Sequence, residues 1–415
     1  MFRRILATAA LVSLAFPSMG AAQEKLKIGV LSTLEGALTA LGEDGVRGLQ
    51  LAVKQAGGKA GGREIETIIM PTNASPDSAL RAAKKLVEQD KVELIIGPLS
   101  GSEGIAIRDY AKTVPNVTIV NGLSGALEAT YVSPAPNFFR FNLEGSQWMA
   151  GLGSYIFNDK KYKKIATIAE DYSFPYTQIF GLANEYCKLG GKIVERYWVP
   201  LGTKDFGSII AKIPDDVDAV FLGLGGGDAV NFLNQYAQAG GKHKFIGGSI
   251  MIDQTVLSSK GSAKKLLIGT PSAVAQADSW DDPKWKAWVK MYQDGFPPDK
   301  RFGSPSLGAT GYYIATSALI QVLNKVNGDL SNGHAKLRAE LSSIEFDAPN
   351  GKIKLDANRQ AIGNNFVSEV VEGPNDTLVT KVVKVIPNVS QTLGMSPEEF
   401  AKAGLPSRTN PPCGS

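Results

Sequence analysis

Three loops of small and hydroxyl-bearing residues are the part of this sequence best suited to chemistry. They occupy residues 32–37, 97–104 and 121–124, and each follows a short apolar run typical of a buried strand. Loops of this kind let backbone N–H groups approach an anion closely, and the dipole of a following helix adds to the attraction. Because ligands of open α/β sheets bind at the carboxyl ends of the strands, we expect an anion-binding site there.

The sequence offers little for covalent catalysis. Its two histidines, His243 and His334, follow glycines in turns, and we expect both to be exposed loop residues. A Ser-His-Asp arrangement would need one of them, and no Gly-x-Ser-x-Gly elbow joins a strand to a helix. The HExxH and CxxC motifs are also absent from the sequence. We predict no enzymatic activity, no cofactor and no metal; carboxylate chemistry without histidine stays open as the enzymatic alternative.

A glycine-rich stretch at residues 223–228 suggests a dinucleotide-binding loop. Asp228 stands where that fingerprint requires its third glycine, so the match fails at one of its defining positions. A flexible turn between a strand and a helix is the interpretation that we favour for this stretch.

Alternating strands and helices must hold these loops in place. Short apolar strands alternate with amphipathic helices over residues 26–142, and the alternation resumes over residues 164–253. The pattern also predicts one helix over residues 147–157 and a strand over residues 266–273. These elements predict an α/β fold of two similar units, followed by a proline-rich surface tail from residue 391.

Composition and charge are those of an ordinary soluble protein with room for two domains. The 415 residues are 43% hydrophobic and 20% charged. Residues 1–22 have the pattern of a secretory signal peptide, with Arg3 and Arg4 before an apolar stretch and cleavage after Ala22. Removal of these two arginines lowers the formal net charge of +4, and such near-neutrality gives no reason to expect nucleic acid. We expect the mature protein outside the cytoplasm.

Cys187 and Cys413 are the two cysteines of the chain. Outside the cytoplasm thiols oxidise, so one prediction is a disulfide that fixes the C-terminal tail. Two separate thiols are the other, since pairing depends on a geometry that the sequence does not contain.

Several segments resemble the periplasmic solute-binding proteins of the branched-chain amino acid (Leu/Ile/Val) class. No single motif carries the resemblance; the order and spacing of the segments do, over nearly all of the mature chain. The segments are residues 33–37, 41–42, 48–53, 82–86, 92–98, 137–140, 170–172 and the helix with Tyr312 and Tyr313.

The resemblance implies two Rossmann-like lobes joined by a three-crossing hinge, the type I periplasmic binding fold, which closes over its ligand. We place the crossings near Asn142, Thr270 and Leu355. The first lobe would combine residues 24–142 with 275–354, the second residues 143–274 with 355–390, and residues 391–415 would form the tail. The resemblance also implies a periplasmic location, a monomer, and an ABC permease of the inner membrane as partner.

The resemblance places the ligand site on loops of both lobes. The family's contacts with the ligand carboxylate fall on residues 99–102 and 122–124, and its aromatic wall falls on Phe174. Gly101 stands where the amino acid binders have a serine and offers only its N–H group. The residues expected to contact the ligand are Leu34, Glu35, Leu99, Ser100, Gly101, Ser102, Gly122, Leu123, Ser124, Asp171, Phe174, Gly225, Ser249, Ile250 and Leu307.

Two positions depart from the amino acid binders. Gly225 replaces a tyrosine, and Ser249 stands where they place the acidic residue that holds the ligand ammonium. Since a buried ammonium without a charged partner is costly, we expect a small carboxylate with an apolar or aromatic body, whose ring uses the space left at Gly225. If Glu35 or Asp253 holds the ammonium instead, the ligand is a branched-chain or other apolar amino acid.

Simpler structural roles stay open for several of these residues. Ser100, Ser102 and Ser124 can cap the helices that follow them, a role worth ~1 kcal/mol. Asp171 can mark a helix entry or the hinge. Arg140 is expected in an ion pair between the lobes or within a turn. A ligand-sensing module of the same two-lobe shape is the remaining functional alternative.

Overall fold

The computed structural model of this chain describes residues 24–413 and contains two β-sheets with helices on their faces. The signal peptide predicted at residues 1–22 lies outside the described residues. Within the described residues, no helix combines the length and the apolar character needed to cross a membrane.

The first sheet, which defines the first lobe, is formed by six strands. They are β1 (Leu26–Thr33), β2 (Lys59–Ala60), β3 (Arg63–Thr72), β4 (Leu94–Ile96), β5 (Thr118–Val120) and β6 (Phe138–Phe139). Their order is β2-β3-β1-β4-β5-β6, and all neighbours are parallel except the β2–β3 hairpin. The three loops singled out in the sequence follow β1, β4 and β5, so the sheet gathers them at one edge.

The second sheet, which defines the second lobe, has nine strands. They are β7 (Lys164–Glu170), β8 (Lys192–Val199), β9 (Ala219–Gly223), β10 (Phe245–Gly247), β11 (Pro271–Val274), β12 (Phe346–Ala348), β13 (Gly351–Leu355), β14 (Ala361–Glu372) and β15 (Leu378–Val389). Strands β8, β7, β9, β10 and β11 are parallel in that order, and β14 pairs antiparallel with β11, β13 and β15. Two sheets in a mixed α/β chain are the predicted fold class.

Strand pairing adds one detail to the predicted division into lobes. The prediction from the sequence places residues 346–354 in the first lobe. In the structure β12 pairs with β13, and β13 pairs with β14 of the second sheet. The exact division of the chain between the lobes stays a prediction.

Fourteen helices of the described residues cover the sheets or connect them. They are α1 (Thr39–Gln55), α2 (Pro76–Lys84), α3 (Gly101–Ala111), α4 (Glu128–Tyr131), α5 (Gly145–Trp148), α6 (Leu152–Asn158), α7 (Ser173–Tyr186), α8 (Gly207–Ile210), α9 (Gly226–Gln238), α10 (Gln254–Leu257), α11 (Pro283–Gly295), α12 (Leu307–Lys325), α13 (Ser331–Ser343) and α14 (Pro397–Ala403).

Helices α1 and α12 pack closely on the first sheet because glycines remove the side chains between them. A Cβ atom on Gly45 would stand 2.9 Å from the ring of Tyr312, and one on Gly48 would collide with the carbonyl of Ala309. The Tyr312 hydroxyl donates to the carbonyl of Leu31 in β1 (2.5 Å). Helix α12 thereby fixes the strand that precedes the first loop.

Two predicted elements differ from the structure. The helix expected over residues 147–157 is divided into α5 and α6, because Gly151 between them has a φ of +84°. The strand expected over residues 266–273 begins only at Pro271, and Ala263–Leu267 form a 3₁₀ helix. In both places the apolar residues are compatible with more than one secondary structure, and tertiary packing selects the one that forms.

The C-terminal tail is anchored rather than loosely laid on the surface. Cys187 and Cys413 form a disulfide with their Cα atoms 5.4 Å apart. Helix α14 buries Phe400, whose ring lies 5.0 Å from that of Tyr131 in the first lobe and 5.9 Å from that of Phe180 in the second. The tail therefore contacts both lobes.

Candidate functional site

Loops at the carboxyl ends of both sheets enclose a cavity with an empty volume of about 280 Å³, which we call the cleft cavity. The described residues that line it carry no charge, and most are apolar or aromatic. They are Leu38, Leu41, Leu99, Ser100, Gly101, Leu123, Gly125, Trp148, Tyr172, Phe174 and Ile250. The cavity suits a small ligand with an apolar body.

The first-lobe wall of the cleft cavity is the N-terminus of α3. Ser100 caps this helix: its hydroxyl accepts from the N–H of Glu103 (3.3 Å) and donates to the carbonyl of Ala74 (2.9 Å). Glu103 in turn accepts from the N–H of Ser100 (3.0 Å). The hydroxyl of Ser100 is therefore used within the protein, as the capping alternative expects. The backbone N–H groups of Gly101 and Ser102, in the first turn, meet no acceptor among residues 24–413.

Aromatic side chains form the opposite wall. Phe174, at the start of α7, packs edge to face against Trp148, with ring centroids 5.6 Å apart. The ring of Tyr172 lies 6.2 Å from that of Phe174, and Ile250 completes this wall. A Cβ atom on Gly101 would stand 2.9 Å from Cβ of Phe174, so the glycine permits the two walls to meet.

The two lobes touch around the cavity. The hydroxyls of Ser102 and Ser173 are 3.2 Å apart, and the N–H of Gly227 donates to the carbonyl of Ala37 (3.0 Å). The first pair joins α3 to α7, and the second joins the loop after β1 to α9, so the structure is in a closed form.

A second cavity lies where the chain crosses between the lobes, and we call it the hinge cavity. It has an empty volume of about 390 Å³ and shares Leu123 and Trp148 with the cleft cavity. Its other lining residues are Phe141, Asn142, Leu143, Ala275, Gln276, Leu307, Thr310, Gly311, Ile314, Asn350, Ile353, Gly363 and Asn364.

The structure separates the predicted contact residues into three groups. Leu99, Ser100, Gly101, Leu123, Phe174 and Ile250 line the cleft cavity. Leu307 lines the hinge cavity, where Leu123 is also found. The rest line neither cavity: Leu34, Glu35, Ser102, Gly122, Ser124, Asp171, Gly225 and Ser249. The lining residues that the sequence did not indicate are Leu38, Leu41, Gly125, Trp148 and Tyr172.

Packing holds Gly122 and Ser124 away from the cleft. Ser124 is fully buried, and its hydroxyl lies against Gly104 of α3, where a Cβ atom would collide with it. Gly122 lies against the ring of Tyr312, which leaves no room for a side chain. Ser124 caps no helix, since the N-cap of α4 is Leu127.

Asp171 is bound to the C-terminal tail. Its carboxylate accepts hydrogen bonds from Arg408 and Tyr176. Burial alone raises the pKa of Asp171, but these two hydrogen bonds outweigh it and hold the pKa below its usual value. Its role in the structure is to fasten the tail to the second lobe.

The expected space at Gly225 is filled. A Cβ atom there would collide with Cδ1 of Ile250, so the isoleucine occupies the volume that the missing tyrosine leaves. Ser249 is fully buried, and its hydroxyl accepts from Nε2 of Gln178 (2.6 Å). The expectation that a ring uses the space at Gly225 is wrong for this closed form.

Glu35 and Asp253, the alternative ammonium partners, lie outside the cleft cavity. The side chain of Glu35 is exposed. Asp253 is buried and accepts from the N–H groups of Thr255 (2.9 Å) and Leu307 (2.7 Å). Burial raises the pKa of Asp253 to about 6. Because Leu307 begins α12, this carboxylate connects a helix packed on the first sheet to the second lobe.

A carboxyl group that the sequence did not single out lies behind Tyr172. Glu170, the last residue of β7, is fully buried. Its Oε1 accepts from the N–H of Gly225 (3.0 Å), and its Oε2 has no partner among the described residues. Burial raises the pKa of Glu170 to about 8, so the group is mostly protonated at neutral pH. The sequence signal that could have identified Glu170 is a carboxyl group directly after the apolar run Ile165–Ala169.

Three polar residues outside the cleft differ from their expected roles. Arg140 is fully buried and forms no ion pair among the described residues; its guanidinium donates to the carbonyls of Ser124 (3.1 Å) and Ala126 (2.7 Å). His334 is buried against Thr118 (3.0 Å), and burial lowers its pKa to about 4. His243 is half-buried and pairs with Tyr236 (2.8 Å). The prediction that both histidines are exposed is wrong.

Two α/β lobes that close over an apolar cavity at the carboxyl ends of their strands define the class of two-lobe, type I periplasmic binding folds. The chain belongs to the periplasmic binding protein family, whose sequence profile matches residues 25–375.

Similar proteins agree with this assignment. A Leu/Ile/Val-binding protein homologue of Brucella melitensis is 22% identical over 383 residues, which are 91% of this chain and 96% of the relative. An ABC transporter substrate-binding protein from Sphaerobacter thermophilus is 27% identical, with a TM-score of 0.76 over 88% of this chain and 98% of the neighbour. A solute-binding protein of Rhodopseudomonas palustris, solved with 3,4-dihydroxybenzoic acid, is 24% identical, with a TM-score of 0.80 and the same coverage.

Proposed function

We propose that this periplasmic binding protein captures a small carboxylate with an apolar or aromatic body and delivers it to an ABC importer. The observation that carries the proposal is the uncharged cleft cavity, which has rings on one wall and unpaired backbone N–H groups on the other. An aromatic acid presents the matching groups, a flat apolar body and one anion.

The start of α3 is the proposed carboxylate site. The N–H group of Gly101, which lines the cavity, is available, and Ser102 follows it in the same turn. The positive end of the helix dipole adds to the attraction. The ring would pack between Leu99, Leu123 and Phe174, which all line the cavity.

The Rhodopseudomonas palustris neighbour supports this ligand class, because it was solved in complex with a hydroxylated benzoic acid. The Brucella melitensis relative supports the other class, branched-chain amino acids. The lack of charge in the cleft cavity favours the first, since an amino acid would bury its ammonium among neutral groups.

Glu170 keeps the amino acid candidate in consideration. Its Oε2 is buried and has no hydrogen-bond partner among the described residues, and Tyr172, two residues further along the chain, lines the cleft cavity. A rearrangement of Tyr172 would expose a carboxyl group to a ligand ammonium. Glu170→Gln should then abolish leucine binding and leave benzoate binding unchanged.

Calorimetric titration of the mature protein with benzoate, cyclohexanecarboxylate and leucine tests the proposal. We expect binding of the two ring acids and none of leucine. A thermal-shift screen gives a second measure, since ligand at a hundredfold excess over Kd stabilises the protein by ~2.7 kcal/mol. Binding of leucine alone would overturn the aromatic acid proposal.

The remaining proposals concern where and with what the protein acts. Cleavage after Ala22 and a periplasmic location are expected, and the mass of the secreted protein measures the cleavage site. We infer that it binds its ligand without changing it, acts as a monomer and presents both closed lobes to a permease. A ligand-sensing module of the same fold would instead show no effect on uptake when its gene is deleted.

A further inference from the structure

The hinge cavity contains polar groups that nothing in the described protein satisfies. Gln276 and Asn350 line it and are 7% and 8% exposed. Oε1 of Gln276, Oδ1 of Asn350 and Nε1 of Trp148 are all buried without a hydrogen-bond partner among the described residues. Leaving a buried polar atom unpaired costs about 1–3 kcal/mol, so these groups indicate that the cavity receives a polar occupant.

The orientation of both amides follows from their other hydrogen bonds. Nε2 of Gln276 donates to the carbonyl of Pro305 (3.1 Å), and Nδ2 of Asn350 donates to the carbonyl of Ala275 (2.9 Å). A carbonyl oxygen accepts and does not donate, so each NH₂ group must face its carbonyl. The acceptor oxygens, Oε1 of Gln276 and Oδ1 of Asn350, therefore point away from these carbonyls and remain unpaired.

The hinge cavity adjoins the cleft cavity, where the ligand ring is proposed to bind. Leu123 and Trp148 line both cavities. Phe174 packs on Trp148 from the cleft side. A ligand held by its carboxylate at α3 would reach the hinge cavity if its far end passed these two side chains.

We propose that the hinge cavity is a subsite for a hydroxyl group on the end of the ligand opposite its carboxylate; this rests on the proposed function of binding an aromatic acid. The hydroxyl donates its proton to an amide oxygen, of Gln276 or Asn350, and accepts from the indole N–H of Trp148. An ammonium suits the subsite less well, because the lining residues of the hinge cavity carry no charge.

Two ligand pairs that differ only in the hydroxyl test the subsite: benzoate with 4-hydroxybenzoate, and cinnamate with 4-hydroxycinnamate. The second pair reaches farther from the carboxylate. Calorimetric titration gives the ratio of the two Kd values within each pair. We expect the hydroxylated acid to bind about three- to tenfold more tightly in at least one pair, the gain of one net hydrogen bond.

Gln276→Met and Asn350→Leu remove the two acceptors. We expect at least one of these variants to reduce the gain to within about twofold. Gln391→Met is the matched control: Gln391 is also a buried glutamine with an unpartnered Oε1, but it lines neither cavity and donates to Thr130 (2.9 Å). The control should keep the full gain. Because each ratio is measured within one variant, a general loss of stability does not mimic the effect.

The outcomes separate this inference from the proposed function. Equal affinity within both pairs, or a gain that survives both hinge variants, overturns the subsite while the aromatic acid proposal stands; ordered water then satisfies the amides. If none of the four acids binds, the proposed function fails and the subsite fails with it.

Discussion

The two walls of the cleft are built from different parts of the polypeptide. The first-lobe wall presents the backbone N–H group of Gly101, in a helix start held by the capping box of Ser100 and Glu103. The second-lobe wall presents side chains, above all Phe174 and the ring of Tyr172. Under the proposed function, the first wall would recognise a charge through a backbone conformation that many sequences can adopt. The second wall would recognise a shape that single substitutions can change.

If the proposed function is correct, specificity lies on the second wall. A carboxylate is common to many small ligands, so a backbone site at α3 would bind the class without distinguishing its members. Discrimination would then depend on Phe174, on Trp148 and on the polar atoms behind them. Variants of the two walls should therefore differ in kind, and four predictions test this difference.

Phe174→Ala should give the largest change. It removes the ring that packs on Trp148 at 5.6 Å, and truncation of an aromatic residue at the centre of a binding site typically costs about 2–4 kcal/mol of binding free energy. We expect binding of benzoate to fall by a comparable free energy in calorimetric titration. Phe157→Ala, in the same lobe but in neither cavity, is the control. Equal losses in the two variants would refute a specific role for this wall.

Glu170→Gln should change how stability depends on pH. Burial holds the pKa of Glu170 at about 8, above its ordinary value of 4.5, so between these pH values the folded protein keeps a proton that the unfolded chain has lost. The wild type then loses stability as pH rises, by up to about 1.4 kcal/mol per pH unit. The variant should lose this slope and be more stable at pH 8. Urea unfolding at pH 5, 6, 7 and 8 measures it, and parallel profiles would contradict the prediction.

Gly101→Val tests the backbone wall. Its Cβ would stand 2.9 Å from Cβ of Phe174 and from the Ser173 hydroxyl, both across the cleft. We expect the valine to destabilise the closed form by about 1–3 kcal/mol, with an equal loss of binding free energy for benzoate. The free energy of unfolding should change little. Gly303→Val is the control, since nothing lies within 4 Å of a Cβ there. Undiminished affinity would mean that this wall does not close on the ligand.

Ser102→Ala should have the smallest effect. It removes the hydroxyl contact with Ser173 (3.2 Å), which joins the two walls only in the closed form. We expect affinity to fall by about 0.5–1.5 kcal/mol. Adding Ser173→Ala should produce no further loss, because the two residues share one hydrogen bond. An additive double variant would show that each serine acts separately.

Most of the fold could be predicted because its elements have strong local signals. A short apolar run predicts β1, and the small and polar residues after it predict the loop. Apolar residues at helical spacing then predict α1. The failures came where the local signal was equivocal. The apolar residues 266–270 suit a strand or a 3₁₀ helix, and only the pairing of β11 with β14 decides where the strand starts.

The site was predictable at the level of loops but not of individual side chains. Leu99 and Phe174 line the cleft cavity as expected, yet Ser124 faces α3 and Asp171 faces the tail. The orientation of a side chain on a loop depends on partners distant in sequence. Arg408, for example, lies 237 residues from Asp171.

The sequence by itself determined the two-unit α/β plan and the positions of the glycine- and serine-containing loops. Only the tertiary structure decided that Ile250 fills the space beside Gly225, and that Leu123 and Trp148 line two adjoining cavities. The physical reason is that hydrophobic periodicity is a local property, whereas the filling of space between two lobes depends on every side chain that reaches it.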